Sequence, residues 1–312
     1  MSDVRTGFFP ATGGVNLYYE DTGSGEPIVF VHEFAGDYRS WEPQVRYFSH
    51  RFRVITYNAR GYPPSDVPED PESYSQDIAV EDILALLDHL KIETAHLVGF
   101  SMGSFAVLFF GLRYPDRAKS VMPVCCGYGA QEGWEDIHKD NFNDFADALE
   151  VEGEAGQASK QYAIGSTRVQ FALKDPRGWQ EFAEQFEALS KKGRAMTLRH
   201  VVAARPSVYT FEAEMKKMVI PVLIITGDED EQTLLPGVFM KNTIPSAGLC
   251  VLPRIGHTIN LEEPGLFNAM LYDFFTAVEL GRWKPRDPRT MATDKYLAPE
   301  SDLTTAPTVK RE

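Results

Sequence analysis

Six short runs of apolar residues divide the chain into a regular series of buried segments. They occupy residues 28–31, 53–57, 95–100, 120–126, 222–226 and 249–253. Because apolar residues are nearly continuous within each run, instead of alternating with polar ones, we predict strands that are buried on both faces. Such strands are typical of a parallel sheet with helices packed on each side.

Helical periodicity fills the connections between these runs. Apolar residues recur at helical spacing in segments 74–90, 102–114 and 263–280. The alternation of strand and helix predicts an α/β fold with right-handed crossovers. Near the N-terminus, segments 5–9 and 15–20 flank a pair of glycines, which predicts an antiparallel hairpin at the sheet edge. These elements together indicate a mostly parallel, eight-stranded sheet.

One connection is too long to be a single crossover helix. It joins the run that ends at residue 126 to the run that begins at residue 222. Residues 127–206 contain several helix-like stretches rich in aromatic side chains, so we predict an inserted helical cap there. The α/β core then comprises residues 1–126 and 207–280.

Two other segments lack a clear pattern of strand or helix. Segment 150–160 is rich in glycine, alanine and charged residues, and we expect it to be a mobile part of the cap. Residues 281–312 contain four prolines among charged residues and threonines. We expect them to form a C-terminal tail, either disordered or lying along the body of the protein.

The composition narrows the range of partners. The chain of 312 residues is 43% hydrophobic, which is enough for a sizeable core, and its formal net charge is −14. An acidic surface repels phosphate backbones, so we expect no nucleic-acid partner. No apolar stretch is long enough to span a bilayer, so we expect no membrane partner. The expected partner is a small-molecule substrate, and the oligomeric state stays open, a homodimer included.

The cysteines and the first residues bear on the cellular compartment. Cys125, Cys126 and Cys250 are an odd number, and two of them are adjacent in an apolar run. This pattern argues against a disulfide framework and lacks metal-ligand spacing, so we expect buried thiols in a reducing environment. The first residues lack an apolar signal core, and the expected location is therefore cytoplasmic.

The most informative motif is Gly99-Phe100-Ser101-Met102-Gly103, which lies between a predicted strand and a predicted helix. In this context the pattern G-x-S-x-G marks a nucleophilic serine. A sharp turn holds the Ser101 hydroxyl exposed beside a base, and the close backbone approach leaves room only for glycine on either side. The positive end of the following helix dipole also points at the site. We therefore predict that Ser101 is a nucleophile.

A serine nucleophile needs a base, an acid that orients the base, and donors for the oxyanion. We predict His257 as the base, because it follows the run at 249–253, whereas most other histidines lie in helical, surface or strand-interior positions. Four carboxylates at 228–231 compete for the role of the acid, since all follow the run at 222–226. The predicted oxyanion donors are the N–H groups of Met102, directly after the nucleophile, and of Phe34, after the first run.

These motifs resemble those of the α/β-hydrolase superfamily, in its branch with a serine nucleophile and a helical cap. The resemblance covers roughly residues 15 to 280. It rests on His32-Glu33-Phe34, Asn58-Ala59-Arg60-Gly61, the elbow at 99–103, Gly227-x-x-Asp230, and Gly256-His257 followed by Glu263-Pro264. In that family the acid commonly occupies the last position of G-x-x-D, which selects Asp230 over Asp228.

The oxyanion loop departs from the family pattern at one position. Relatives usually have glycine where Glu33 stands. A carboxylate aimed at a developing oxyanion opposes catalysis, so we expect the Glu33 side chain to point out of the oxyanion hole, held by a hydrogen bond or salt bridge. A cationic group of the substrate is the other partner we expect for it. Glu33, Tyr128 and Trp134 are the candidate pocket residues, and the aromatic cap indicates a mostly apolar pocket.

The resemblance implies a serine hydrolase that cleaves a small carboxylic ester or lactone through an acyl-enzyme, without a metal or organic cofactor. Family members that open epoxides or cleave carbon–halogen bonds have aspartate at the elbow, so Ser101 argues against both reactions. One alternative is carbon–carbon bond hydrolysis of ring-cleavage products of aromatic compounds. Such substrates are dianionic and call for a cationic pocket residue, for which the cap offers Arg168, Arg177, Arg199 and Arg205. The second alternative is a weakly catalytic ligand receptor.

Overall fold

Eight strands form one mixed sheet in the computed structural model, which describes residues 4–130, 135–151 and 155–290. The strands are β1 (Val4–Pro10), β2 (Asn16–Gly23), β3 (Pro27–Val31), β4 (Arg53–Tyr57), β5 (Ala95–Phe100), β6 (Ala118–Val124), β7 (Val222–Gly227) and β8 (Ala247–Leu252). Their spatial order is β1-β2-β4-β3-β5-β6-β7-β8. The pairs β1–β2 and β2–β4 are antiparallel and all other neighbours are parallel. The predicted sheet and its N-terminal hairpin are therefore confirmed.

Helices cover both faces of this sheet. The α-helices of the described residues are α1 (Glu42–Phe48), α2 (Gln76–His89), α3 (Met102–Arg113), α4 (Glu135–Glu150), α5 (Ala155–Ala163), α6 (Val169–Lys174), α7 (Pro176–Ala188), α8 (Lys191–Thr197), α9 (Glu212–Met215), α10 (Glu231–Thr243), α11 (Ile259–Glu262) and α12 (Pro264–Glu279). On one face α2, α3 and α10 pack against the strands, and on the other α1 and α12 do so. Among the described helices, none is both long enough and apolar enough to cross a bilayer.

Successive residues of a central strand enter opposite layers of the core, as strand geometry requires. In β3, Val29 and Val31 pack in the layer of α2 and α3, while Ile28 and Phe30 pack in the layer of α1 and α12. All four side chains are buried. This burial on both faces is the reason why the apolar runs are continuous.

The long connection between β6 and β7 is helical. It contains α4 to α8 and a π-helical turn at Leu198–Val202, and we call residues 135–151 and 155–202 the helical segment. Its apolar residues form a third cluster with Phe34, Tyr62 and Met102, which follow β3, β4 and β5. The helical segment therefore lies against the carboxyl ends of the central strands. Its division from the core as a separate cap domain stays a prediction.

Each of the two segments without a clear sequence pattern contains residues that the structure describes. Residues 155–160 belong to helix α5, and their mobility stays a prediction. The small residues of this stretch allow close packing, since Ala155, Ala158 and Ser159 are buried. In the predicted tail, the Trp283 ring packs edge-on against Phe274 and its indole N–H donates to the Ser246 carbonyl at 2.7 Å. Residues 281–290 thus lie along the body, and the rest of the tail lies outside the described residues.

Candidate active site

Ser101 occupies a sharp turn between β5 and α3. Its backbone angles, φ 51° and ψ −107°, lie in a region that residues with side chains rarely adopt. A Cβ atom on Gly99 would lie 2.1 Å from the Gly103 carbonyl oxygen, and one on Gly103 would lie 2.3 Å from the Val31 carbonyl oxygen. Only glycine therefore permits this turn, which presents Ser101 at the N-terminal end of α3.

His257 and Asp230 meet in space although they follow different strands. The Nδ1 atom of His257 lies 2.6 Å from Oδ2 of Asp230. The same oxygen accepts a hydrogen bond from the Thr233 hydroxyl at 3.0 Å. Asp230 is fully buried, whereas Asp228, Glu229 and Glu231 are exposed. Of the four carboxylates at the end of β7, the structure thus brings Asp230 to the histidine.

The surroundings of Asp230 favour its charged form. Burial alone would raise its pKa, because a buried carboxylate loses the solvation that water provides. His257, Thr233 and Cys125 outweigh the effect of burial and hold the pKa of Asp230 below its ordinary value. An ionised Asp230 accepts the Nδ1–H of His257, which makes Nε2 the basic nitrogen of the ring.

Ser101 and His257 line one cavity of about 500 Å³, counting the space open to solvent. The remaining wall is largely apolar and aromatic and consists of Phe34, Met102, Tyr128, Phe142, Tyr162, Thr167, Leu198, Val202 and Arg205. Tyr128 therefore lies where we expect a pocket residue, and Trp134 lies outside the described residues. Among the described residues, the Ser101 hydroxyl makes no hydrogen bond to His257. The hydrogen bond between a nucleophile and its base commonly tightens only when substrate binds.

The two predicted oxyanion donors are residues of the same cavity wall. Phe34 belongs to the loop after β3, and Met102 is the first residue of α3. A backbone N–H in the first turn of a helix has no intrahelical acceptor. In the described part of the chain, neither the Phe34 nor the Met102 N–H donates to a protein acceptor. Both are therefore available to a negatively charged oxygen of a ligand.

Glu33 does not line this cavity, which corrects its candidacy as a pocket residue. Its carboxylate is engaged instead by Arg168, with Nη1 3.1 Å from Oε1 and Nη2 2.5 Å from Oε2. Both side chains are buried. Arg168 also donates to the Thr258 hydroxyl at 2.7 Å and lies over the Phe182 ring. The salt bridge turns the Glu33 carboxylate out of the expected oxyanion hole.

The turn that carries Arg168, at Ser166–Arg168, also contacts the loop of His257, and we call it the docking turn. The His257 N–H donates to the Thr167 carbonyl at 2.9 Å. A Cβ atom on Gly256 would lie 2.6 Å from that same oxygen, so glycine allows the close approach. The docking turn thus fixes two loops of the site. Sequence reasoning missed it, because no local pattern marks contacts between such distant stretches of chain.

Cys125, Asp230 and His257 each offer one potential metal ligand, and these atoms lie within 4.8 Å of one another. Nδ1 of His257 and Oδ2 of Asp230 already engage each other, whereas Oδ1 of Asp230 is buried without a hydrogen-bond partner among the described residues. Burial raises the pKa of the Cys125 thiol well above its ordinary value. Cys125 packs beside the His257–Asp230 pair, with its Sγ 3.5 Å from the His257 carbonyl oxygen.

Comparisons with known proteins agree with this architecture. A sequence model of the family described as alpha/beta hydrolase fold matches residues 26–264. The 3-oxoadipate enol-lactonase 1 of Acinetobacter baylyi is 27% identical over 282 residues, which are 89% of this chain and all of the relative. Epoxide hydrolase 1 of Siraitia grosvenorii is 26% identical over 313 residues, covering 85% of this chain and 96% of the relative.

Solved structures show the same fold at lower identity. An esterase from Thermogutta terrifontis superposes with a TM-score of 0.75 at 22% identity, covering 88% of this chain and 99% of that one. The enol-lactonase from Burkholderia xenovorans superposes with a TM-score of 0.73 at 24% identity, covering 86% of this chain and all of that one. Since the family match spans most of the chain and the sheet has the corresponding strand order, this protein belongs to the α/β-hydrolase family and is a hydrolase.

Proposed function

We propose that the protein is a serine hydrolase of small carboxylic esters or lactones, with Ser101, His257 and Asp230 as its catalytic triad. The observation that carries this proposal is the 2.6 Å contact between His257 and Asp230, with His257 on the wall of the cavity that also contains the strained Ser101. Ser101 follows β5, Asp230 follows β7, and His257 comes after β8. They come together because ligand sites of open α/β sheets form outside the carboxyl ends of the strands.

In the first half of the proposed reaction, Oγ of Ser101 attacks the ester carbonyl while Nε2 of His257 takes the hydroxyl proton. Asp230 stays ionised and stabilises the imidazolium. The N–H groups of Phe34 and Met102 donate to the oxyanion of the tetrahedral intermediate. His257 then gives its proton to the leaving alcohol, and the acyl group remains on Ser101.

Water completes the reaction. His257 takes a proton from a water molecule, whose oxygen attacks the acyl carbonyl. The second tetrahedral intermediate collapses, the carboxylic acid leaves, and the proton returns to Ser101. With a lactone the alcohol stays attached to the acyl group, so the product is a hydroxy acid. These steps need no metal or organic cofactor.

The comparisons support the choice of substrate class only in outline. Two of the similar proteins are named as an enol-lactonase and an esterase, and another is named as an epoxide hydrolase. The family resemblance implies aspartate at the elbow of epoxide-opening members, whereas this chain has Ser101. We therefore favour ester or lactone cleavage over epoxide opening.

A fluorophosphonate probe and a series of p-nitrophenyl esters of graded chain length test the proposal. The wild type should be labelled at Ser101 and should hydrolyse the short esters. Ser101→Ala should lose the label and about a thousandfold or more in kcat/KM. Its Tm should stay unchanged, because the substitution removes no core atom. Ser24→Ala, in an exposed turn, is the matched control and should behave as wild type. Labelling at a different serine, or full activity of Ser101→Ala, would refute the assignment.

Carbon–carbon bond hydrolysis of a ring-cleavage product is a second candidate, because it uses the same triad on an anionic substrate. One observation favours it, the presence of the cationic Arg205 on the cavity wall. Turnover of a ring-cleavage product, measured beside the ester series, separates the two reactions. Faster turnover of a ring-cleavage product than of any ester in the series would replace the first candidate by the second.

A further inference from the structure

Arg205 places a positive charge on the wall of the cavity that Ser101 and His257 also line. It is partly buried and lies in the loop after the helical segment. Its Nη2 donates to the Tyr128 carbonyl at 2.7 Å, and its guanidinium carbon lies 3.7 Å from the centre of the Phe105 ring. These contacts hold the side chain in place without neutralising its charge.

No carboxylate of the described residues pairs with Arg205. Two arginines of the helical segment are neutralised, since Arg168 pairs with Glu33, and Arg199 pairs with Asp147 and Glu150. Arg194 forms no ion pair in the part of the chain that the structure describes, although the charge of Glu187 acts on it from a distance. It is enclosed by Ser159 and Phe186, however, and does not line the cavity. Arg205 is therefore the arginine whose charge a ligand in this cavity could meet.

The groups around Arg205 leave its charge uncompensated. Burial lowers the pKa of Arg205 to about 10, so the guanidinium is still protonated at neutral pH. Burial and the charge of Arg205 lower the pKa of His138, and burial raises the pKa of Cys126 to about 11, so both neighbours are neutral. Asp136 and Lys139 line an adjoining cavity together with Arg205, and within the described chain Asp136 forms no ion pair with Arg205. A partly buried cation without a counter-ion is costly, and an anionic ligand would remove that cost.

We infer that Arg205 binds a carboxylate of the substrate, so that the preferred esters or lactones carry a free acid group. The inference rests on the proposed function and narrows its substrate class. A guanidinium has five N–H donors in one plane, and its fork matches the two oxygens of a carboxylate. One of these donors is bound to Tyr128. A single negative charge fits the cavity, because Arg205 is the one cation among its lining residues in the described chain.

Two p-nitrophenyl esters of equal acyl-chain length test the inference, the monoester of glutaric acid and the neutral ester of pentanoic acid. We expect the wild type to favour the acid ester by about tenfold or more in kcat/KM. Arg205→Met, which retains length and apolar contact with Phe105, should lower kcat/KM for the acid ester by roughly tenfold to a hundredfold, the effect of losing a charged hydrogen bond. The neutral ester should change by less than about threefold.

Two further variants serve as controls. Arg205→Lys retains the charge without the planar fork, so it should have an intermediate preference for the acid ester. Arg282→Met removes an exposed arginine that follows α12 and should leave both activities unaffected. A wild type without preference for the acid ester, or an Arg205→Met variant that loses both activities equally, would overturn the inference. If Arg205→Met does not fold, a wild type without preference still overturns the inference, and so does an Arg205→Lys variant whose preference for the acid ester equals that of the wild type.

A binding measurement separates failure of the inference from failure of the proposed function. Calorimetry on Ser101→Ala should detect binding of glutaramate, the singly charged monoamide of glutaric acid, but not of the neutral diamide. The double variant Ser101→Ala/Arg205→Met should bind glutaramate about tenfold or more weakly. Glutaramate binding that depends on Arg205, without hydrolysis of either ester, would leave the anion site standing and remove the hydrolase proposal. Hydrolysis of both esters at equal rates, without glutaramate binding, would overturn the anion site and leave the hydrolase proposal standing.

Discussion

At the scale of single residues, two aspartates of one loop lie in contrasting surroundings. Asp230 is buried against His257 and Thr233. Asp228 is exposed and accepts one long hydrogen bond, from the Ile255 N–H at 3.3 Å. Because the two side chains are identical and only their surroundings differ, Asp228 and Asp230 form a matched pair of positions for mutagenesis.

Asp230→Asn should lower kcat by up to about four orders of magnitude, because an amide does not hold the Nδ1–H tautomer of His257 or stabilise its charged form. Asp228→Asn should change kcat by less than about twofold, since it alters one exposed contact. Steady-state kinetics with a short p-nitrophenyl ester measure both. If the Asp228 variant is the one that loses activity, the pairing with His257 is not the functional one.

Glu33 and Arg168 form a buried pair, and removing one partner of such a pair leaves the other charge uncompensated. We expect Glu33→Gln to lower the free energy of unfolding by about 3 kcal/mol or more. Turnover of a neutral ester should stay within about tenfold while the variant is folded, because the carboxylate does not line the cavity. Urea unfolding and steady-state kinetics measure the two quantities.

The exposed pair Glu42–Arg46 provides the control for this prediction. Glu42→Gln should cost less than about 1 kcal/mol, because exposed ion pairs contribute little. Combining Glu33→Gln with Arg168→Gln should recover part of the lost stability. A thousandfold loss of turnover by a well-folded Glu33→Gln variant would mean that Glu33 takes part in the chemistry.

At the scale of elements, His96 links its own strand, β5, to the neighbouring strand β6 and to helix α12. Its Nδ1 lies 2.6 Å from the Ser120 hydroxyl in β6, and its Nε2 lies 3.0 Å from Oε1 of Glu279 in α12. Burial lowers the pKa of His96 to about 4, against 6.5 for an ordinary histidine. The ring is therefore neutral in the folded protein at neutral and mildly acidic pH.

This pKa difference makes stability depend on pH in a defined window. Between about pH 6.5 and pH 4 the unfolded chain binds a proton at His96 and the folded chain does not, so acidification favours unfolding. The full difference corresponds to roughly 3 kcal/mol. His96→Gln should therefore reduce the loss of unfolding free energy between about pH 7 and about pH 4.5 by roughly 2 kcal/mol. Urea titrations at both pH values measure it, with the exposed His50→Gln as control. An unchanged loss in His96→Gln would show that this histidine does not carry the effect.

Elements marked by local patterns could be predicted from the sequence. Continuous apolar runs marked the strands, and the glycines of G-x-S-x-G marked the elbow, because both patterns follow from contacts within a few residues. The boundaries are less well determined. For example, β8 begins at Ala247, two residues before the predicted run, because backbone pairing with β7 starts there.

Features that depend on distant parts of the chain could not be predicted in the same way. Ser101 and His257 could be chosen as candidates because each follows a predicted strand. The choice of Asp230 among four carboxylates needed the family resemblance. Arg168 illustrates the limit most clearly. As a sequence position it was a candidate to bind substrate, whereas in the folded chain it neutralises Glu33. Nothing in the residues around either position encodes that pairing.

At the scale of the whole molecule, the sheet and the helical segment contribute different parts of the candidate site. The sheet supplies the loops of Ser101, Asp230 and His257. The helical segment supplies much of the apolar wall, including Phe142, Tyr162 and Leu198. The reacting groups therefore belong to the sheet, while the shape of the cavity belongs largely to the helices.

The docking turn has a consequence for how such a protein diversifies. It binds Glu33 in the loop after β3 and the backbone of His257 in the loop after β8. A grafted helical segment without a cation at position 168 would leave the Glu33 carboxylate buried and unpaired. A graft that retains the stability of this chain must therefore supply a cation at position 168 or also replace Glu33. The two positions are thus exchanged together, although they lie in separate stretches of the sequence.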